Sequence, residues 1–405
     1  MKKGLVVEIV LVVAVVLALV TAGSARSAAS KSTSPKSSAS TKVTESTSAQ
    51  KKMRAKRHSR RTRRSANGRR HRRYYERFYL SSYADDVTAG DKTAGEDPIV
   101  RAAAVEALGN MNGTVVAIDP TSGRVLAMVN QKLALSEGAQ PCSTIKLVTS
   151  LAALNEGIID KDTEVPLSRR WKMTLTHAIA TSNNTYFEVL GRKLGFEKVA
   201  YYARQLGLGE LAGYNIEGEH LGAYPDEVIS AKDGGVGKMS SYGEGISMTP
   251  LQLGALVSAI ANGGTLYYMQ HPTAPEQVAN FKPRIKRQLA ITDLVPQLTE
   301  GMAGTVEYGT GRSVRYNFSE EQVLGKTGTC SKDGTRFGWF ASYANTHYGR
   351  IVTVVFLHGG RPTFGPKAAE IAGRMYRNLY DHSFFAAAPG TTPDHSEDSA
   401  VGASH

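Results

Sequence analysis

The stretch Pro141-Cys142-Ser143-Thr144-Ile145-Lys146-Leu147-Val148, continuing to Gly157, decides how the chain reads. Ile145, Val148, Leu151 and Leu154 recur at helical spacing, a proline precedes the run and Gly157 closes it, so a helix is expected over Ser143 to Glu156. Residues three apart share a helix face, which brings the Lys146 amine within reach of the Ser143 hydroxyl. A serine hydroxyl is a weak nucleophile that needs a base, and a lysine can serve when burial and nearby positive charge lower its pKa. Ser143 also falls in the first turn, where free N–H groups and the helix dipole favour developing negative charge. The Ser-x-x-Lys spacing alone is a weak signal; Ser48-Ala49-Gln50-Lys51 matches it in a segment that reads as linker.

Working outward, Thr114–Ile118 and Val125–Val129 are short apolar runs split by Asp119-Pro120-Thr121-Ser122-Gly123, the pattern of a buried hairpin. A mainly helical region follows to about residue 265, including Gln252–Asn262 closed by Gly263-Gly264. Strand-like runs return at 323–329, 336–344 and 350–358, and an amphipathic helix is expected over 366–380. Strands, a helical insertion, then strands and a helix suit an α/β sheet domain carrying a helical subdomain.

Two further motifs lie in order on these elements. Ser182-Asn183-Asn184 follows the helical stretch Leu175–Ala180, and Lys326-Thr327-Gly328-Thr329 sits on an expected strand. Each is common by chance; the ordered triple is not. Over about residues 97–380 the chain resembles the transpeptidase domain of penicillin-binding proteins, within the serine acyl-transferase and β-lactamase superfamily. Gly123–Met128, Thr249-Pro250-Leu251-Gln252, Ala261–Gly264 and Trp339-Phe340-Ala341 agree with it. The resemblance implies a central antiparallel-type sheet flanked by helices, plus an all-helical subdomain. It implies a peptidoglycan D,D-transpeptidase that forms a Ser143 acyl-enzyme with a D-Ala-D-Ala stem peptide and is acylated by β-lactams. Lys146 would take the Ser143 proton, Ser182 would relay a proton to the leaving D-alanine, and Lys326 would polarise that network. Asn184 would bind the substrate amide, and Thr327 and Thr329 its carboxylate. The backbone N–H groups of Ser143 and Thr329 would form an oxyanion hole, with the side-chain-free Gly328 admitting the substrate as an added strand. The same chemistry admits a D,D-carboxypeptidase, a β-lactamase or a non-catalytic penicillin-sensing or wall-binding protein. No Glu-x-x-x-Asn element stands out between residues 184 and 326 to activate a deacylating water, which favours transfer to an amine.

Departures from the family pattern concern Cys142, where glycine is usual, and the short Met128–Pro141 connection. Residues 24–96 read as linker where a pedestal domain is usual, and no glycosyltransferase domain is expected. The two cysteines, Cys142 and Cys330, immediately follow Pro141 and Lys-Thr-Gly-Thr respectively, and strand alternation puts Lys326, Gly328 and Cys330 on one face. By resemblance to class A carbapenemases, a Cys142–Cys330 disulfide is expected across the site; two free buried thiols are the alternative reading. Trp339 reads as core.

The 405 residues carry 49 Lys+Arg against 36 Asp+Glu, net +13. Residues 51–73 alone hold 13 Lys/Arg and no acid, so the remainder, 36 against 36, is formally neutral. A surface that is basic throughout is thereby excluded, and two cysteines exclude both a disulfide-dense scaffold and a Cys-rich zinc site. The ten His residues show no metal spacing, so neither metal nor cofactor is expected. Met1-Lys2-Lys3 precedes an apolar run of about 18 residues, Leu5–Ala22. Residues 1–23 therefore read as a signal-anchor helix or a signal peptide, placing the rest outside the cytoplasmic membrane, single-pass if uncleaved and secreted if cleaved. The basic tract opposes that orientation but lies mostly beyond the reach of the positive-inside rule. Residues 24–96 read as disordered linker and 97–382 as the transpeptidase domain, with 383–405 a disordered tail. The tract is expected to meet anionic lipid or wall polymer rather than nucleic acid, which an exported segment would not encounter. Tyr74, Tyr75, Phe78 and Tyr79, just after it, suit a membrane interface or, more readily, the domain's first helix.

Overall fold

A computed structural model of the protein describes residues 77–346 and 349–385. The candidate anchor 1–23, the basic tract 51–73 and most of the tail lie outside the described residues. Among the described residues no helix is long and apolar enough to cross a membrane.

Helix α1 (Pro98–Leu108) starts on Asp97, whose carboxylate accepts from the Ile99 and Val100 amides, with Pro98 at its first position. The hairpin β1 (Gly113–Asp119) and β2 (Arg124–Val129) turns through Asp119, which accepts from the Thr121 amide, and Gly123 at φ 76°. A short helix α2 (Gln131–Ala134) and a 3₁₀ turn (Cys142–Ile145) lead into α3 (Lys146–Asn155). A two-stranded ribbon, β3 (Val165–Ser168) and β4 (Trp171–Met173), precedes α4 (Leu175–Ala180), α5 (Asn184–Leu194) and α6 (Phe196–Gln205). Then come α7 (Gly235–Tyr242) and α8 (Pro250–Ala261), the ribbon β5 (Thr265–Tyr267) and β6 (Ile285–Gln288) with α9 (Pro275–Ala279) between its strands, and α10 (Val295–Glu307). The chain closes with β7 (Gln322–Lys332), β8 (Thr335–Thr346), β9 (Gly349–Gly359) and α11 (Gly365–Asp381).

The main sheet is antiparallel throughout, in the order β2-β1-β9-β8-β7. Helices cover both faces, which explains why β1 is apolar at consecutive positions instead of alternating. Val115 and Ala117 pack with Val100, Leu108, Met375 and Tyr376 of α1 and α11. Val116 and Ile118 face α8 and the helical subdomain, in one core with Leu151, Phe187 and Leu256. Every residue of α8 is buried, and a capping box of Thr249 with Gln252 satisfies the amides at its start.

Residues 77–96, expected as linker, belong to the folded body. The Asp91 carboxylate accepts from the Asn130 and Gln131 amides at 2.9 and 2.8 Å and pairs with Arg101 at 2.7 Å. Glu96, its side chain 1% exposed, accepts from the Met128 amide and pairs with Arg101 and His271. Buried carboxylates satisfied by amides and a guanidinium hold this polar segment in place, an attachment that apolar periodicity does not register. Phe78 and Tyr79 open no helix; the Tyr79 amide instead donates to the Gly334 carbonyl. At the other end Phe385, assigned to the tail by its sequence, is buried in the α1–α11 core.

Candidate active site

The helix expected from Ser143 begins as the 3₁₀ turn, and the α-helix proper starts at Lys146. Cys142, just before the serine, has φ 51°, a left-handed conformation that a non-glycine residue adopts at a cost of about 1–3 kcal/mol. The Lys146 Nζ lies 2.7 Å from Ser143 Oγ, 2.6 Å from Asn184 Oδ1, 3.0 Å from the Ser182 carbonyl and 3.1 Å from Ser182 Oγ. Lys326 Nζ donates to Ser182 Oγ at 2.8 Å and to its neighbour's carbonyl, Thr327 O, at 3.1 Å. Ser143, Lys146, Ser182, Asn184 and Lys326, distant in sequence, thus form one connected hydrogen-bond network.

The turn between α4 and α5 splits its three residues among three tasks. Ser182 sits at φ 55°, which directs its hydroxyl toward both lysines. Asn183 caps α5 by accepting from the Tyr186 amide, and Asn184, the first helical residue, reaches Lys146. Both lysines are fully buried. Burial, and after it the nearby Lys326 ammonium, hold the Lys146 pKa well below its ordinary value, against an upward pull from Glu188. Burial alone pulls Lys326 down to about 7.

That depression has a sign in stability. Between about pH 7 and the ordinary 10.5 the unfolded chain binds a proton at Lys326 that the folded chain lacks, so stability rises with pH across that window. Urea midpoints measured from pH 7 to 10 are expected to climb less in Lys326→Met than in wild type; parallel curves would contradict the buried, depressed lysine.

On β7 the expected alternation is present. Lys326 reaches Ser182, the Cβ direction of Gly328 meets the Pro141 carbonyl and Thr144, and Cys330 forms a disulfide with Cys142, Cα–Cα 5.6 Å. Gly328 therefore lets the Ser143 turn approach the strand. The hydroxyls of Thr327 and Thr329 take the other direction. Thr327 Oγ1 is 2.6 Å from Thr310 Oγ1, and Thr329 Oγ1 accepts from the Gly365 amide at 2.8 Å. Trp339 is buried as expected, stacked on Phe356, and its indole N–H donates to the Gln140 carbonyl at 3.0 Å, a second tie between the sheet and the Ser143 turn.

Two side chains in the network escaped the sequence reading. Thr310 stands between Gly309 and Gly311 after α10, and its amide donates to Ala180 O at the end of α4; the paired glycines before a strand were the available signal. Tyr242 ends α7, and its hydroxyl accepts from Asn184 Nδ2 at 2.6 Å. Contrary to the expectation above, a Glu-x-x-x-Asn spacing does exist, at Glu276 and Asn280. Both residues are exposed around α9, where Asn280 Nδ2 donates to the Glu276 carbonyl. Among the described residues no group of His, Cys, Asp and Glu could hold a metal ion.

A family model of the penicillin binding protein transpeptidase domain matches residues 113–380. The chain belongs to that family. Among curated relatives, stage V sporulation protein D of Bacillus subtilis is 28% identical over 65% of this chain and 48% of that protein. The peptidoglycan D,D-transpeptidase MrdA of Acinetobacter baumannii is 25% identical over 72% of this chain and 54% of its own length. The chain thus spans about half the length of these relatives. In fold it is similar to Pseudomonas aeruginosa PBP2 in complex with WCK 5153, at TM-score 0.59 and 21% identity, covering 75% of this chain and 81% of that one. A peptidoglycan glycosyltransferase from Burkholderia ambifaria gives TM-score 0.60 at 19% identity, covering 73% and 99%.

Proposed function

We propose that this penicillin-binding family member is a peptidoglycan D,D-transpeptidase working through a Ser143 acyl-enzyme. The observation that carries the reading is the 2.7 Å contact between Ser143 Oγ and a buried lysine whose pKa is held low. A neutral amine has two N–H donors and one lone pair. The Ser182 carbonyl and Asn184 Oδ1 can only accept, so they take the two N–H groups and leave the lone pair for the Ser143 proton. Ser143 then attacks the carbonyl of the penultimate D-alanine, and Ser182, between the two lysines, passes a proton to the leaving D-alanine. An acceptor amine takes over the acyl group, and Ser143 regains its proton. The backbone N–H groups of Ser143 and Thr329 are assigned to the developing oxyanion. Thr327 and Thr329 both suit the substrate carboxylate: Thr329 accepts from the Gly365 amide and keeps its own proton free, as Thr327 does if Thr310 donates to it. Asn184 uses one lone pair of Oδ1 and one N–H of Nδ2 within the protein, and its second N–H is assigned to the substrate.

Residues 51–73 are assigned to anionic lipid or wall polymer on their charge, and residues 1–23 to a single-pass anchor or export signal on their apolar run; the catalytic domain is placed on the extracytoplasmic side. Transfer is favoured over hydrolysis because Glu276 and Asn280 hydrogen-bond within their own exposed turn and not to Ser143. The full chain is to be incubated with a D-Ala-D-Ala stem peptide and an amine acceptor. Wild type is expected to release D-alanine and yield the acceptor-linked peptide, and Ser143→Ala neither. Release without transfer would indicate a carboxypeptidase, and no release from wild type together with no penicillin label would leave only a non-catalytic role.

A further inference from the structure

Asn184 presents a problem of orientation. A primary amide has one accepting and one donating end, and a half-turn about its last bond exchanges them. Lys146 Nζ, a donor, stands 2.6 Å from Oδ1. The flipped amide would set its NH₂ against the lysine, donor to donor, and withdraw the acceptor that occupies one lysine N–H. The lysine, which only donates, selects the orientation, and the group facing the other end holds the amide in it. That group is the Tyr242 hydroxyl, able to donate or accept, which here accepts from Nδ2 at 2.6 Å.

Tyr242 is itself held from three sides. It ends α7, with Gly243 at φ 68° closing the helix, and the Cβ direction of Gly243 runs into Pro141. The Tyr242 carbonyl accepts from Gln140 Nε2 at 3.1 Å, and the Lys238 ammonium lies 4.4 Å from its ring centre. The same Gln140 gives its carbonyl to Trp339, two residues before the disulfide-linked Cys142 and three before Ser143. The phenol is thus referenced to the nucleophile's own turn.

We propose that Tyr242 is a positioning residue. By accepting from Asn184 Nδ2 it keeps Oδ1 on Lys146 and so aims the lysine lone pair at Ser143. It acts through Asn184, and its contribution belongs to the acylation step rather than to binding. The proposal rests on the Ser143 acyl-enzyme reading.

The test is saturation kinetics of acylation by a fluorescent penicillin, which separates the limiting acylation rate from the dissociation constant of the initial complex. Tyr242→Phe keeps the ring and its place over Lys238 while removing the acceptor. The limiting rate is expected to fall about tenfold, the effect of one hydrogen bond, with the dissociation constant unchanged. In an Asn184→Ala background the same substitution is expected to cost nothing further, because the amide it orients is gone. That double-variant comparison also removes any shared folding penalty, which thermal midpoints record in parallel. An unaltered limiting rate in Tyr242→Phe, or an equal loss with and without Asn184, would overturn the proposal. So would a rise in the dissociation constant alone, which would make Tyr242 a substrate contact. Absence of any label on wild type would remove the acyl-enzyme reading and this inference together, whereas a labelled wild type equalled by Tyr242→Phe would remove only the inference.

Discussion

Replacing Lys146 with alanine is expected to slow covalent labelling of Ser143 by penicillin by about 10²–10⁴-fold, the range spanned by a positioned general base. Lys326 does not stand in for it, since its ammonium donates to Ser182 Oγ and the Thr327 carbonyl instead of Ser143. The loss should be one of rate and not of folding. Lys146 is fully buried, and removing a buried amine removes its desolvation cost while leaving the Ser182 carbonyl and Asn184 Oδ1 without a donor. These two effects oppose each other, so the thermal midpoint should shift far less than the rate. The wild-type pH profile follows from the same geometry. The reactive form has Lys146 neutral, and its pKa is held low, so the acid limb of acylation should lie well below the pH at which an ordinary lysine titrates. In Lys146→Ala that limb should vanish, leaving a slow rate that grows with hydroxide. A variant that acylates within a few-fold of wild type and keeps the acid limb would place the base elsewhere.

Much of this site was legible because three of its parts are local. Ser143 and Lys146 are three apart, Ser182 and Asn184 two apart, and Lys326 shares a strand face with Gly328 and Cys330. Periodicity placed each on an element, and the order of the motifs supplied the family whose fold brings the elements together. The main sheet followed in the same way: the expected runs at 323–329, 336–344 and 350–358 are the cores of β7, β8 and β9. What could not be read were contacts whose partners are far apart and polar. Asp91 and Glu96 bind the amides of Met128, Asn130 and Gln131, Thr310 meets Thr327, and Tyr242 meets Asn184. None of these lies on an apolar stripe or at a repeating interval, so each emerges only when the backbone has already placed its partner. The ribbon β3–β4 was absorbed into the helical region and β5–β6, beyond it, was not expected, for a related reason: each strand is three or four residues long with at most one buried residue.

The disulfide ties the local and the distant parts, and breaking it should have the second large effect. Cys142 and Cys330 are 188 residues apart, so in the chain-entropy account the bond removes about 5 kcal/mol of freedom from the unfolded chain. At the usual scale for a domain of this size, reduction should lower the thermal midpoint by roughly 10 °C. A second consequence concerns catalysis. Cys142 holds φ 51°, and the residue that follows it is Ser143, the proposed nucleophile. With the bond cut, Cys142 is free to leave the left-handed region, and the Ser143 amide and hydroxyl would move with it. Trp339 restrains only the Gln140 carbonyl, one peptide further back. Two variants separate the effects. Cys142→Ala with Cys330→Ala loses the crosslink and keeps a side chain that disfavours this φ, so both stability and acylation rate should fall. Cys142→Gly with Cys330→Ala loses the same crosslink, but glycine adopts the conformation freely. It should share the lowered midpoint while acylating faster than the double-alanine variant. Equal rates in the two would show that the crosslink stabilises the fold without setting the nucleophile, and a reduced protein with an unshifted midpoint would refute the stabilising role.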